Sequence, residues 1–159
     1  MTRRSFAASA ALALSAVPPA FAAGQPDFSG EWKLNVGKSD FGAVPPPASQ
    51  TMKIDHKDPV LKVVNEQIGA ADGDTTMNAT YSTDGKETKN DYRGAPLTSV
   101  AKWDGDVLVI DTKVDLQGAS STVKATWKLS DDGKTIAVNT KISTPQGAFD
   151  IKSVFEKAK

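Results

Sequence analysis

From Phe28 onward, apolar and polar side chains alternate with the period of two expected of strands that turn one face to a core and one to water. Phe28, Gly30, Trp32 and Leu34 alternate with Ser29, Glu31, Lys33 and Asn35. Met52, Ile54 and His56 alternate with Lys53 and Asp55, and Leu108 and Ile110 share one face. So do Val123, Ala125, Trp127 and Leu129, and then Ile136, Val138 and Ile142. The last segment sets Phe149, Ile151 and Phe155 against Asp150, Lys152 and Glu156. Beyond residue 22 no window repeats apolar residues at helical spacing between helix caps. The pattern predicts an all-β chain of about ten strands, spaced at roughly 8–12 residues.

The punctuation between these segments says how they connect. Asp-Gly stands at 72–73, 84–85, 104–105 and 132–133, each time between extended stretches, and Pro145-Gln146-Gly147 marks another turn. Asp-Gly accepts the positive φ angles of tight hairpins, so the strands are expected to form an antiparallel up-and-down meander. Tyr81, Trp103 and Trp127 each fall shortly before an Asp-Gly turn, one up-down pair apart, which reads as hairpin repetition within one sheet. The exception is Val36 to Ser49. Its Pro45-Pro46-Pro47 run forbids a helix interior or a central strand and predicts a long loop, suited to a cap or to a plain solvent-exposed connection.

The N-terminal segment has a different composition. Arg3 and Arg4 precede an Ala/Leu-rich run from Phe6 to Val17, then Pro18-Pro19 and Ala20-Phe21-Ala22. This is the order of a secretory signal peptide, expected to be cut after Ala22, and the apolar run is shorter than the roughly 20 residues that span a bilayer. Thr2-Arg3-Arg4-Ser5-Phe6 resembles a twin-arginine export signal, with the general secretory route as the other reading. Residues 1–22 are therefore read as a signal peptide and residues 23–159 as a single β-barrel domain, periplasmic or secreted, without a stable membrane anchor. Of 19 basic residues, Arg3 and Arg4 leave with the leader while all 19 acidic ones remain, giving a weakly acidic domain with scattered lysines. That charge gives no footprint for nucleic acid. The chain has no cysteine, which excludes disulfides and thiol chemistry.

Phe28-Ser29-Gly30-Glu31-Trp32 at the head of the first strand is similar to the Gly-x-Trp signature of the calycins, the superfamily of lipocalins and fatty-acid-binding proteins. The segment from Phe28 onward also resembles exported bacterial lipocalin-like proteins, which carry a similar Trp-Asp-Gly-Asp-x-Leu-x-Ile strand. The resemblance implies a calycin/lipocalin-like barrel in which Trp32 closes one end, Gly30 lies beside it, and Lys157 of the final strand packs over the indole. The ten-strand meander resembles the fatty-acid-binding-protein or nitrobindin-like barrels more than the eight-stranded lipocalins. Two departures stand out. The prolines leave no room for the helix pair that fatty-acid-binding proteins place between their first strands, and the chain ends on a strand where lipocalins carry a helix. A two-sheet sandwich is the alternative architecture.

Catalytic signals are sparse. Beyond residue 22 there is one histidine, His56, and one arginine, Arg93, and no serine sits in a Gly-x-Ser-x-Gly context. No metal or other cofactor is expected. A multi-histidine zinc site is impossible, calcium would have to use the Asp72/Asp74, Asp104/Asp106 or Asp131/Asp132 turns, and a haem reading would rest on His56 alone. The inventory points to ligand binding rather than catalysis. Trp103, Trp127 and Tyr81 share faces with small residues such as Ser99, Ala101, Ser121, Val123 and Ala125, which leaves space inside a barrel. The candidate ligand-binding residues are Arg93, as a clamp for a carboxylate, with Tyr81, Trp103, Trp127 and His56. The expected partner is a small hydrophobic or amphipathic molecule. A non-enzymatic envelope interaction or structural protein with a filled barrel is the alternative, and an enzyme of unknown reaction the third reading.

Overall fold

The computed structural model describes residues 24–116 and 118–159. The proposed leader, residues 1–22, lies outside the described residues. Ten strands run in chain order: β1 (Gly30–Leu34), β2 (Ser49–Lys57), β3 (Val60–Ile68), β4 (Thr75–Ser82) and β5 (Asp84–Tyr92), then β6 (Ala95–Asp104), β7 (Val107–Leu116), β8 (Ala119–Leu129), β9 (Thr135–Thr144) and β10 (Gly147–Lys157). They form one antiparallel sheet in the order β4-β3-β2-β1-β10-β9-β8-β7-β6-β5. The only helical turn among the described residues is Val36–Lys38, at the start of the long β1–β2 connection.

The sheet rolls up because β1 joins the two halves. Trp32 pairs with Met52 on one side and with Lys157 on the other. After Leu34 the β1–β2 connection runs on beside β10, where Asn35 N–H donates to the Val154 carbonyl and Asp40 exchanges both backbone bonds with Lys152. All the predicted hairpins but that at Asp84-Gly85 occupy their places, with Gly105 at φ +62° and Gly133 at φ +68°.

Neighbours in sequence pair throughout, with one exception. Asp84-Gly85 does not make a hairpin ladder, because β4 and β5 are adjacent but are the two edges of the sheet. A single residue, Thr83, separates them, and its N–H is taken by the Pro59 carbonyl. At this seam a side chain replaces the missing ladder. Asn90 of β5 accepts from Thr80 N–H at 2.8 Å and donates to the Thr80 carbonyl at 3.1 Å, as a neighbouring peptide group would. The barrel is thus nearly closed by backbone pairing and finished by an amide.

The interior is packed unevenly. At the end where β1 begins and β10 finishes, the inward side chains Trp32, Leu61, Leu108, Trp127, Ile136 and Phe155 are buried in one cluster. Followed to the opposite end, the same inward faces become half-exposed: Thr112 and Val114 on β7, Ser121 and Val123 on β8, Thr140 and Ile142 on β9. One end is solid, the other hollow.

Candidate functional site

The solid end is built around Phe28, which precedes β1 and folds inward with none of its surface exposed. Its ring stacks on His56 and Trp103 and meets Trp127 edge-on, with centroids 5.7–5.8 Å apart. Its backbone is fixed on both sides. Phe28 N–H donates to His56 Nδ1, and the Phe28 carbonyl accepts from Trp32 Nε1 at 2.8 Å. A donor facing Nδ1 leaves the ring proton on Nε2, which faces Asp58 Oδ1 at 3.2 Å. Asp58 also accepts from Thr83 Oγ1 and Trp103 Nε1. Burial pushes the Asp58 carboxyl up, but these hydrogen bonds outweigh it and hold the group below the ordinary value of 3.8. Both nitrogens of His56 are occupied within the protein.

Gly30, Trp32 and Lys157 form a second unit at this end. Lys157 Nζ lies 5.3 Å from the Trp32 ring centroid, within cation–π range. Gly30 has φ +134°, and a Cβ there would stand 3.0 Å from Lys157 Cε. The missing side chain leaves the path along which the lysine reaches the indole. Trp32 is fully buried beneath it.

The hollow end contains a cavity of about 410 Å³, within the usual range of small-molecule pockets, roughly 300–1,000 Å³. Met77 and Tyr81 of β4, Tyr92 of β5 and Leu97 of β6 line one side, and Val114, Ser121, Val123 and Ile142 the other. Its wall is apolar apart from a few hydroxyls. The Thr112 hydroxyl is paired with that of buried Ser99 at 2.8 Å. The Tyr81 hydroxyl has no hydrogen-bond partner among the described residues, and burial pushes its phenol up to about 12, so it is neutral at physiological pH. Phe149, on the inward face of β10 near the mouth, is 43% exposed.

Arg93 sits on the rim. With Gly94 it forms the centre of the β5–β6 hairpin, both residues having positive φ. Its guanidinium crosses to the β3–β4 turn, donating from Nε to Thr75 Oγ1, from one terminal nitrogen to the Asp72 carbonyl and from the other to the Gly73 and Asp74 carbonyls. Tyr92 reinforces the crossing through a hydrogen bond to Asp72 Oδ2 at 3.0 Å. Burial first, and then this carboxylate, raise the Tyr92 phenol. The arginine thus ties the turns at the open end of the seam.

The structure divides the sequence-predicted ligand residues among three places. His56, Trp103 and Trp127 converge on Phe28 at the closed end, Tyr81 lines the cavity, and Arg93 binds carbonyls at the rim. Ser121 and Val123, read from the sequence as space-making residues, do face the cavity. Sequence reasoning missed Met77, Tyr92, Leu97, Thr112, Val114, Ile142 and Thr144; they have the strand parity of the inward-facing positions, which was the available signal. Among the described residues no three His, Cys, Asp or Glu side chains converge to hold a metal ion. Of the turn aspartates, Asp132 accepts from Lys134 N–H and Asp74 from Gly69 N–H, while Asp72 accepts from the Tyr92 hydroxyl.

No protein-family model matches the chain, and no curated protein matches it. Solved structures do. The chain is similar to zebrafish ileal bile acid-binding protein complexed with cholic acid, with TM-score 0.58 and 12% identity over 82% of this chain and 98% of that one. It is similar to a secretory abundant heat soluble protein from Ramazzottius varieornatus, with TM-score 0.61 and 12% identity over 86% and 98%. A Schistosoma mansoni fatty acid binding protein in complex with arachidonic acid gives TM-score 0.52 and 12% identity over 83% and 96%. At these identities the likeness concerns the fold alone: this chain is an all-β, ten-stranded antiparallel meander barrel, similar in backbone to those solved structures.

Proposed function

We propose that the protein is an exported binding protein that holds a small hydrophobic or amphipathic molecule in the hollow end of its barrel. The observation that carries this reading is the change along the inward faces, from buried large side chains at one end to half-exposed small and apolar ones around a cavity of about 410 Å³. A barrel evolved only for stability gains by filling that space, since unfilled apolar volume forfeits packing. The two neighbours in complex with cholic and arachidonic acid supply the analogy. Among the described residues the wall offers two phenols as its ionisable groups and no carboxylate or imidazole, a composition for holding a molecule rather than converting it. Export to the periplasm or medium is supported by the order of charges, apolar run and small residues in the first 22 positions.

Native mass spectrometry of the protein recovered from the exported fraction tests both parts. The reading expects a chain starting at Ala23 that carries or takes up a lipid-like molecule. A cytoplasmic full-length chain would refute export. No retained mass, and no tryptophan fluorescence change across fatty alcohols, fatty acids, sterols and retinoids, would refute binding.

A further inference from the structure

The cavity wall also says which kind of molecule suits it, an inference that rests on the binding reading above. Among the described residues that line the cavity there is no Asp, Glu, Lys, Arg or His. The inward positions of β2 and β3 towards the mouth are neutral too, with Gln50 Nε2 donating to Asn65 Oδ1 at 2.9 Å. Arg93, on the rim, has every guanidinium nitrogen engaged by the β3–β4 turn and the first residue of β4, and lies beside Asp72, with Nη1 3.8 Å from Oδ2. The carboxylates of the same turn are engaged as well, Asp72 accepting from the Tyr92 hydroxyl and Asp74 from Gly69 N–H. An ionised headgroup drawn inside would be stripped of water with nothing opposite to replace it. A neutral polar group has a partner waiting: the Tyr81 hydroxyl, without a hydrogen-bond partner among the described residues and able both to donate and to accept.

We infer that the site takes an uncharged amphipathic molecule, an alcohol or carbonyl compound with a long apolar body, which the Tyr81 hydroxyl anchors. This sets the chain apart from the two neighbours bound to cholic and arachidonic acid, both of them carboxylic acids.

The test displaces a neutral fluorescent probe, N-phenylnaphthylamine, with dodecanol, dodecanoate and dodecane, at about pH 7, where an alkyl carboxyl is ionised, and about pH 4, below its pKa of roughly 4.3 or more. Dodecanol is expected to bind at least about tenfold more tightly than dodecanoate at the higher pH, and acidification to bring the acid up towards the alcohol while leaving the alcohol unchanged. Tyr81→Phe is expected to weaken dodecanol by about fivefold and to leave dodecane unchanged, the loss of one neutral hydrogen bond. Dodecanoate binding as tightly as dodecanol at about pH 7 overturns the inference while leaving the binding reading intact. Equal effects of Tyr81→Phe on dodecanol and dodecane overturn the anchor. Failure of the probe and all three competitors to bind removes the binding reading itself, and this inference with it. Should the variant not fold, the alcohol-against-acid comparison on the unaltered protein decides alone.

Discussion

Gly30 shows how much one absent methyl group can organise. At φ +134° it occupies backbone space that L side chains rarely enter, and its bare Cα lets the Lys157 stem pass towards Trp32. Gly30→Ala is expected to cost about 1–3 kcal/mol in denaturant unfolding, from backbone strain and displacement of the lysine. An unchanged midpoint would show that the geometry is loose. Asp58 is the second residue with outsized consequences. Its carboxyl is held below 3.8 because the ionised form accepts from Thr83, Trp103 and His56. A group with a depressed folded-state pKa stabilises the fold above its unfolded value and loses that contribution as pH falls through the folded one. Stability should therefore decline below about pH 4, and Asp58→Asn should flatten that decline while lowering stability at neutral pH. Parallel acid limbs in the two proteins, followed by thermal unfolding, would contradict this.

At the scale of elements the period-two pattern and the Asp-Gly turns disclose nearly every strand, because both are local consequences of chain geometry. Two features escape such a reading. Phe28 has the parity of a first-strand residue, yet it lies before β1 and becomes the centre of the closed end, since partners as distant as His56, Trp103 and Trp127 determine its place. Asp84-Gly85 looks like the other hairpins, but whether two successive strands pair depends on how the whole sheet rolls, and here it marks the seam. The Arg93-Gly94 turn lacks the expected Asn or Asp in its centre, so its arginine looked available for a ligand when it is spent on carbonyls across the seam. Asn90→Leu removes the amide that bridges β4 and β5. It is expected to cost about 1–2 kcal/mol and to speed hydrogen exchange at the Thr80 amide without affecting Trp32, because two backbone groups lose their partner. Unaltered exchange at Thr80 would mean the seam holds without it.

The whole molecule divides its labour along the barrel axis. Aromatic rings, a buried histidine network and the Trp32–Lys157 contact make the closed end rigid, and that rigidity lets the other end stay hollow. Small residues on β8 hold the space open, and Val123 stands in that wall. Alternation already exposed Ser121 and Val123 as space-making positions. The cavity as a volume was not legible, because it depends on which large side chains are missing opposite them. The most direct test of the central claim is an equilibrium titration of N-phenylnaphthylamine into the unaltered protein and into Val123→Trp, with thermal unfolding of both. Saturable binding by the unaltered protein should weaken at least about tenfold when the indole fills the space, with a melting temperature equal or higher, since added apolar volume enters a void. Binding that survives the tryptophan undiminished, or is absent from the unaltered protein, would contradict a ligand site inside the barrel.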